Sequence, residues 1–401
     1  KTMNFISFSV ISRFDFFWLD VLKQLDLKSR ISFAASCDMF ENIYVRSSPL
    51  RLSRVVNLEE MIEFSLLETK LFVELSGSDI EIIRGGPHTP MFSHFEDFIR
   101  LMSIRLTKVN EIALEGFQLT QYKWFNAPET SFSNLTYVSL RRCQLNDENL
   151  VGWEFLTHLE TLDLRYNDRL TGSCLMSLPT SLLSLYITGC RNLCPNQLIF
   201  LNRIPRLREL RASDLMPGGH WHIYRDLVLA CPLLVMVEIS ICSLNRDEYR
   251  LGELRYLQSL VIKAHSTDTI RCKVSDWMLI SLLDVPFLRN LMFSDAPSGF
   301  VSANALSIIS RFRQLRVLKM PNQPYRPNDL LRLRNLTFLE TLDLSNSPYI
   351  TNEVVIELVI GIPNLSVLIV QGCPLLTNRV YLDAELASKK RSNGNMVKVQ
   401  L

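Results

Sequence analysis

Cysteine and histidine carry the most versatile chemistry in a protein, and in this sequence neither is spaced to perform it. The nine cysteines include no Cys-x-x-Cys pair, so the ligand spacing of a zinc site is missing. The histidines are scattered apart from His220-Trp221-His222, which follows Gly218-Gly219 in an expected loop. Two imidazoles with no third ligand type beside them make an ordinary loop rather than a metal site. Gly85-Gly86 stands before a proline, with no Lys-Ser or Lys-Thr after it to complete a phosphate cradle. Gly-x-Ser-x-Gly and His-Glu-x-x-His are both absent. Asn134, Asn335 and Asn364 open Asn-Leu-Ser/Thr triplets, a pattern that also arises by chance. The expectation is a chain with no catalytic residue, no metal and no cofactor.

What several cysteines do share is a position. Cys143, Cys190, Cys242 and Cys373 each stand eight residues after an aliphatic residue that opens the pattern Leu-x-x-Leu-x-Leu. Clear copies are Leu135-Val138-Leu140, Leu159-Leu162-Leu164, Leu182-Leu185-Ile187, Leu234-Val237-Ile239 and Leu257-Leu260-Ile262. Further copies are Leu288-Leu291-Phe293, Leu315-Leu318-Met320, Leu339-Leu342-Leu344 and Leu365-Leu368-Val370, with weaker ones at Val109-Ile112-Leu114 and Leu207-Leu210-Ala212. Residues two apart point to the same side of a strand, so the last two apolar positions of each copy face a core. A step of 23 to 31 residues accommodates one strand, a turn, a helix and the return. Polar caps at Asn146-Asp147-Glu148 and Thr351-Asn352-Glu353 predict helix starts, and Pro232, Pro286 and Pro363 predict stops before strands. The pattern resembles the leucine-rich repeat, and the ninth-position cysteines resemble its cysteine-containing subclass. That resemblance implies an α/β solenoid, with a curved parallel sheet on the concave side and helices on the convex side. Each unit would bury too little alone and would rely on its neighbours. The cysteines are then small buried packing residues, and a reducing compartment, cytoplasm or nucleus, follows.

Composition agrees with a folded chain: 47% of the 401 residues are apolar and 21% charged, with a net charge of +2. Near-neutrality does not suggest a nucleic-acid partner, and no apolar run is long enough to span a membrane. Phe5 to Ile11 is short enough for a signal-peptide core, but no small-residue cleavage site follows it.

Residues 12–48 depart from the repeat and predict short helices over Phe14–Leu25, Lys28–Cys37 and Met39–Val45. The run from Trp18 to Arg30, followed by Phe33, Ala34, Ser36-Cys37 and Phe40, resembles an F-box. Arg13-Phe14 stand where that family has Leu-Pro, and Ser36 where it has an aliphatic residue. The resemblance implies docking onto a Skp-type adaptor, and through it a cullin, by Phe17, Trp18, Val21, Leu22 and Leu25. Residues 49–108 are expected to form an irregular first repeat or cap, with a helix over Leu58–Leu75, a first strand at Ile80–Ile83 and a second helix over Phe92–Leu106. Residues 109–401 would hold about 11 repeats plus a closing strand over Met396–Leu401, after a helix over Leu382–Arg391. Lys389-Lys390-Arg391 suits the end of that helix; a nuclear-localisation signal is the alternative reading.

Binding is left as the chemistry. The outward strand positions include Tyr137, Arg141, Arg165, Tyr186 and Arg211, residue types that often dominate binding energy. An acidic or phosphorylated partner segment would suit them, or the arginines pair with Asp163 and Glu209 along the sheet. The expected function is a non-catalytic substrate receptor of a cullin–RING ubiquitin ligase, holding an unidentified protein substrate. The alternative is a stand-alone protein-binding scaffold. An apolar stripe left exposed on the first helix favours the former, and one buried against the repeats the latter.

Overall fold

A computed structural model of the chain describes residues 17–47, 53–86, 95–121, 131–217, 223–241, 251–266, 272–391 and 393–401. It divides into two compact units, one of residues 1–169 with 177–182, the other of residues 170–176 with 183–401. The segment Phe5–Ile11, the His220-Trp221-His222 cluster and Cys242 lie outside the described residues.

The first unit opens with three helices: α1 (residues 17–24), α2 (Leu27–Ala35) and α3 (Asp38–Arg46). Five parallel strands follow in chain order: β1 (Val55–Asn57), β2 (Ile82–Gly85), β3 (Glu111–Glu115), β4 (Tyr137–Arg141) and β5 (Thr161–Asp163). Helix α4 (Leu66–Ser76) joins β1 to β2, and α5 (Phe95–Arg105) lies between β2 and β3. The ladder aligns Val56, Ile83, Ile112, Val138 and Leu162, all buried, as one inward row.

Two expectations for this region need correction. The ladder starts with β1, before the strand expected to be first; Val55-Val56-Asn57 is too short to display the repeat pattern. The helix expected over Leu58–Leu75 is interrupted: Leu58–Met61 is a 3₁₀ turn, and α4 starts at Leu66. A capping box sets that start. The Ser65 side chain accepts from the Glu68 N–H at 3.2 Å, and the Glu68 carboxylate accepts from the Ser65 N–H at 2.7 Å.

The second unit continues the same rule through β6 (Ser184–Tyr186), β7 (Glu209–Ala212), β8 (Met236–Ile241), β9 (Ser259–Ala264), β10 (Asn290–Ser294), β11 (Val317–Lys319), β12 (Thr341–Asp343), β13 (Val367–Ile369) and β14 (Lys398–Gln400). Every pair is parallel and consecutive, with Leu185, Leu210, Val237, Leu260, Leu291, Leu318, Leu342 and Leu368 as the buried row.

The connecting segments are not uniformly α-helical. Steps of 26 to 31 residues hold α6 (Ile223–Ala230), α7 (Asp276–Leu282), α8 (Ala303–Ile309) and α10 (Asn352–Gly361). Steps of 23 to 25 residues hold 3₁₀ turns at Asp147–Leu150, Trp153–Phe155, Pro195–Arg203, Leu251–Glu253 and Leu331–Asn335, the last after the four-residue α9 (Pro327–Leu330). The tighter 3₁₀ turn rises further per residue, so it crosses the same span with a shorter segment. The expected α-helix after Asn146 is therefore a 3₁₀ turn, although its polar cap is present.

After β13 come α11 (Val380–Lys389) and β14, which pairs parallel with β13. Arg391 is buried rather than displayed. Its guanidinium donates to the carbonyls of Leu365 at 2.8 Å, Ile362 at 3.0 Å and Asn395 at 2.8 Å, and also to that of Pro363. It clamps the last repeat, which removes it from a nuclear-localisation signal.

Candidate functional site

The outward row of the first unit runs Arg84, Ala113, Ser139 and Asp163 across β2 to β5. Asp163 is 1% exposed because two guanidiniums cover it. Arg165 donates to both its carboxylate oxygens, Nε at 2.9 Å and Nη2 at 2.7 Å, and Arg141 Nε lies 3.2 Å away. Charged hydrogen bonds of this forked kind hold both partners in place. Arg84 pairs with Glu111 at 2.9 Å, and Arg142 lies 4.9 Å from the Tyr166 ring centre. Of the residues expected to bind a partner, Arg141 and Arg165 thus meet on Asp163, the pairing open to them in the sequence. Tyr137 lies at the opposite end of β4 from Arg141, four residues along the strand. Small side chains at Ala113 and Ser139 leave a hollow of about 290 Å³ between Arg84 and Arg141, edged by Asn57, Glu59, Gly85 and Glu115.

In the second unit Tyr186 and Arg211 do come together. Arg211 stacks 4.9 Å from the Tyr186 ring centre, and the Tyr186 hydroxyl donates to Glu209 at 2.8 Å. Burial, and then the Glu209 carboxylate, push the Tyr186 hydroxyl above its ordinary pKa. Glu238 lies on the next strand, almost fully buried, and accepts from Ser213 at 2.6 Å and Thr188 at 3.2 Å, with Lys263 at 3.2 Å. Burial alone would raise its carboxyl; the Ser213 hydroxyl and the Lys263 ammonium outweigh that and hold it below the ordinary value. This network was missed in the sequence because Thr188, Ser213, Glu238 and Lys263 come from four different repeats.

In three of the repeats the ninth position is a hydrogen-bonding position whose side chain reaches the carbonyl six places into the preceding repeat: Cys143 Sγ to Leu114 at 3.6 Å, Asn167 Nδ2 to Leu140 at 2.7 Å, Cys373 Sγ to Leu344 at 3.4 Å. Phe117, Leu215 and Ala296 hold it in others without a polar group, and the buried Ser347 hydroxyl there has no partner among the described residues. Asn167 also accepts from the N–H groups of Cys143 and Leu145, both at 3.0 Å. Burial pushes the Cys143 and Cys231 thiols up to about 12, so they remain protonated and unreactive at neutral pH. Asn134 and Asn364 donate to the carbonyls of Thr107 and Thr337 in the repeats before them, each across 2.7 to 2.8 Å. Among the described residues no cluster of three His, Cys, Asp or Glu side chains could hold a metal ion, and no helix is long and apolar enough to cross a membrane.

The residues expected to dock an adaptor divide. Leu22 is fully buried within the helical module, which corrects its expected role as a contact residue. Phe17 is 58% exposed, while Trp18, Val21 and Leu25 are half-buried at helical spacing along the same stripe. Trp18 packs with Phe33 and Phe40 at ring-centre distances of 5.4 and 4.9 Å. On its other side the module rests on α4. Tyr44 shares buried hydroxyl contacts with Ser76 at 2.7 Å and Ser53 at 3.2 Å, and Lys28 pairs with Glu63 at 3.0 Å.

No family model matches the sequence, and no curated protein matches it. Among solved structures, the chain is similar to TLR13 in its complex with ssRNA13, at 16% identity and a TM-score of 0.52. The match covers 75% of this chain and 44% of that one. The fold is that of the leucine-rich-repeat proteins. Similarity also extends to an internalin (inlF) of Listeria monocytogenes, at 17% identity over 83% of this chain and 88% of that one, with a TM-score of 0.47. A leucine-rich-repeat protein of Leptospira interrogans matches at 12% identity over 89% and 97% of the two chains, with a TM-score of 0.37. In this leucine-rich-repeat chain the outward strand positions carry ordered charge pairs, and the N-terminal helices carry an apolar stripe.

Proposed function

We propose that this leucine-rich-repeat chain is a non-catalytic receptor that joins two proteins. In this reading α1 docks a Skp-type adaptor, which recruits a cullin, and the outward strand face holds the protein substrate through Tyr137, Arg141, Arg165, Tyr186 and Arg211. Ubiquitin transfer is then carried out by other subunits, and this chain supplies proximity. Its place of work is the reducing cytoplasm or nucleus. The observation that carries the proposal is the stripe of Phe17, Trp18, Val21 and Leu25, apolar and not fully covered by the repeats. Leaving such side chains in water is unfavourable by ~25 cal/mol per Å², which a partner surface would recover. The fixed guanidiniums on Asp163 are already oriented for an acidic partner group, which lowers the ordering cost of binding.

A second reading is favoured by one observation: Tyr44 with Ser53 and Ser76, and Lys28 with Glu63, bind the module to α4 and the chain segments around β1. On that basis the helices are an end cap, and the chain is a protein-binding scaffold with no ligase. Binding of purified adaptor to the intact chain, and its loss in Phe17→Glu/Val21→Glu, separates the two.

A further inference from the structure

The edge of the second unit where the chain enters its strands holds a groove of about 750 Å³, lined by Leu283, Asp284, Ser310, Arg311, Arg313, Arg334, Asn335 and Thr337. These come from equivalent places in three successive repeats, those that deliver the chain to β10, β11 and β12. Asp284, Arg311 and Asn335 stand four residues before the strand-opening leucines Leu288, Leu315 and Leu339; Pro286, Arg313 and Thr337 stand two before. The middle repeat has placed two arginines where its neighbours carry one acid, one amide, one proline and one hydroxyl. Arg311 and Arg313 are exposed, and neither guanidinium has a hydrogen bond or ion pair among the described residues. Arg334, by contrast, lies flat against Gly361, where a Cβ would crowd its side chain, and pairs with Glu357. One residue before the opening leucines, Phe287 and Phe338 flank the groove's repeats, each 48% exposed. They stand two strands apart, about 10 Å.

We propose that this groove binds a short extended acidic peptide of a partner protein, its carboxylates on Arg311 and Arg313 and its flanking apolar side chains on Phe287 and Phe338. Ser310, Asn335 and Thr337 add polar groups along the same wall. A nucleic acid fits less well. Arg334 is already paired with Glu357 and Asp284 adds a carboxylate to the lining, so the groove has no continuous run of open positive charge for a phosphate chain. Two open guanidiniums match two carboxylates rather than a charge at every nucleotide. The site is separate from the outward sheet face and from α1, and it stands or falls independently of the ligase reading.

Fluorescence anisotropy with the full chain tests it. The probe is a labelled peptide of three glutamates flanked by one phenylalanine on each side; an unlabelled single-stranded oligonucleotide of equal charge is the competitor. The intact chain binds the peptide, more weakly as salt rises, and the oligonucleotide does not displace it. Arg311→Glu/Arg313→Glu weakens binding by about tenfold or more, whereas Arg206→Glu/Arg208→Glu, at the same edge beside β7, changes it less than about twofold. Circular dichroism checks the fold of each variant; should the glutamate pair disturb it, Arg311→Gln/Arg313→Gln removes the charges without adding repulsion and still weakens binding. No peptide binding, equal losses in both arginine pairs, or groove-dependent displacement by the oligonucleotide would each overturn the proposal.

Discussion

Replacing Asn167 with alanine removes one buried side chain and four hydrogen bonds. Its amide oxygen accepts from the Cys143 and Leu145 N–H groups at 3.0 Å, and its amide nitrogen donates to the carbonyls of Leu140 at 2.7 Å and Leu164 at 2.8 Å. Two buried N–H groups without an acceptor cost about 1–2 kcal/mol each, and the two carbonyls lose a donor, for a total of about 3–4 kcal/mol. Asn167→Cys restores the donor that Cys143 provides to Leu114 one repeat earlier, so its cost falls to about 2 kcal/mol. Hydrogen exchange followed by mass spectrometry is the assay, since a repeat array need not unfold in one step. The Cys143–Leu145 segment should lose protection in Asn167→Ala, less so in Asn167→Cys, with a parallel fall in thermal midpoint. Unchanged protection in Asn167→Ala, or a cysteine variant less stable than the alanine one, would refute the role given to the ninth position.

Four further outcomes follow from the geometry. Arg165→Ala leaves the buried Asp163 with one guanidinium instead of two and should lower stability by about 2 kcal/mol in urea unfolding, while Arg84→Ala, at an exposed pair, costs less than about 1 kcal/mol. Glu238 is held below its ordinary pKa, so its stabilisation is present at neutral pH and is lost as pH falls from the ordinary value through the folded one; the advantage of the native chain over Glu238→Gln, about 1–2 kcal/mol at pH 7, should therefore shrink below about pH 4. Iodoacetamide at pH 8 should alkylate exposed Cys37 rapidly but leave Cys143 and Cys231 untouched until the chain is unfolded, as read by peptide mass spectrometry. Leu22→Ala should cost about 3 kcal/mol and Phe17→Ala less than about 0.5 kcal/mol in thermal unfolding; equal losses would contradict the division between a core residue and a surface one.

The inward half of the fold is legible because the repeat pattern is periodic and its apolar positions have one physical destination. Leu135, Val138 and Leu140 read correctly as a unit, and so do their equivalents along the chain. What the pattern hides is length-dependent and non-local. The α-helix and the 3₁₀ turn present similar apolar spacing, and the step between repeats separates them only in part. The 26-residue step from Val109 carries a 3₁₀ turn at Ser131–Asn134, and the 26-residue step from Leu339 carries α10. Asn167 has the same place as Cys143 and Cys190 but a different chemistry, so a search for cysteines passes it by. Phe17 and Leu22 read alike on a helical stripe, although α2 and its neighbours cover only the second. The groove at Arg311 and Arg313 needs three repeats side by side before two isolated arginines become one surface.

The docking stripe on α1 is the central claim, and binding of a purified Skp-type adaptor–cullin complex to the intact chain tests it most directly. The account predicts capture by the native chain and by Leu22→Val, and loss of capture in Phe17→Glu/Val21→Glu with the circular dichroism spectrum unchanged. A folded native chain that captures no adaptor, or a Phe17→Glu/Val21→Glu variant that captures it as well as the native one does, would contradict it.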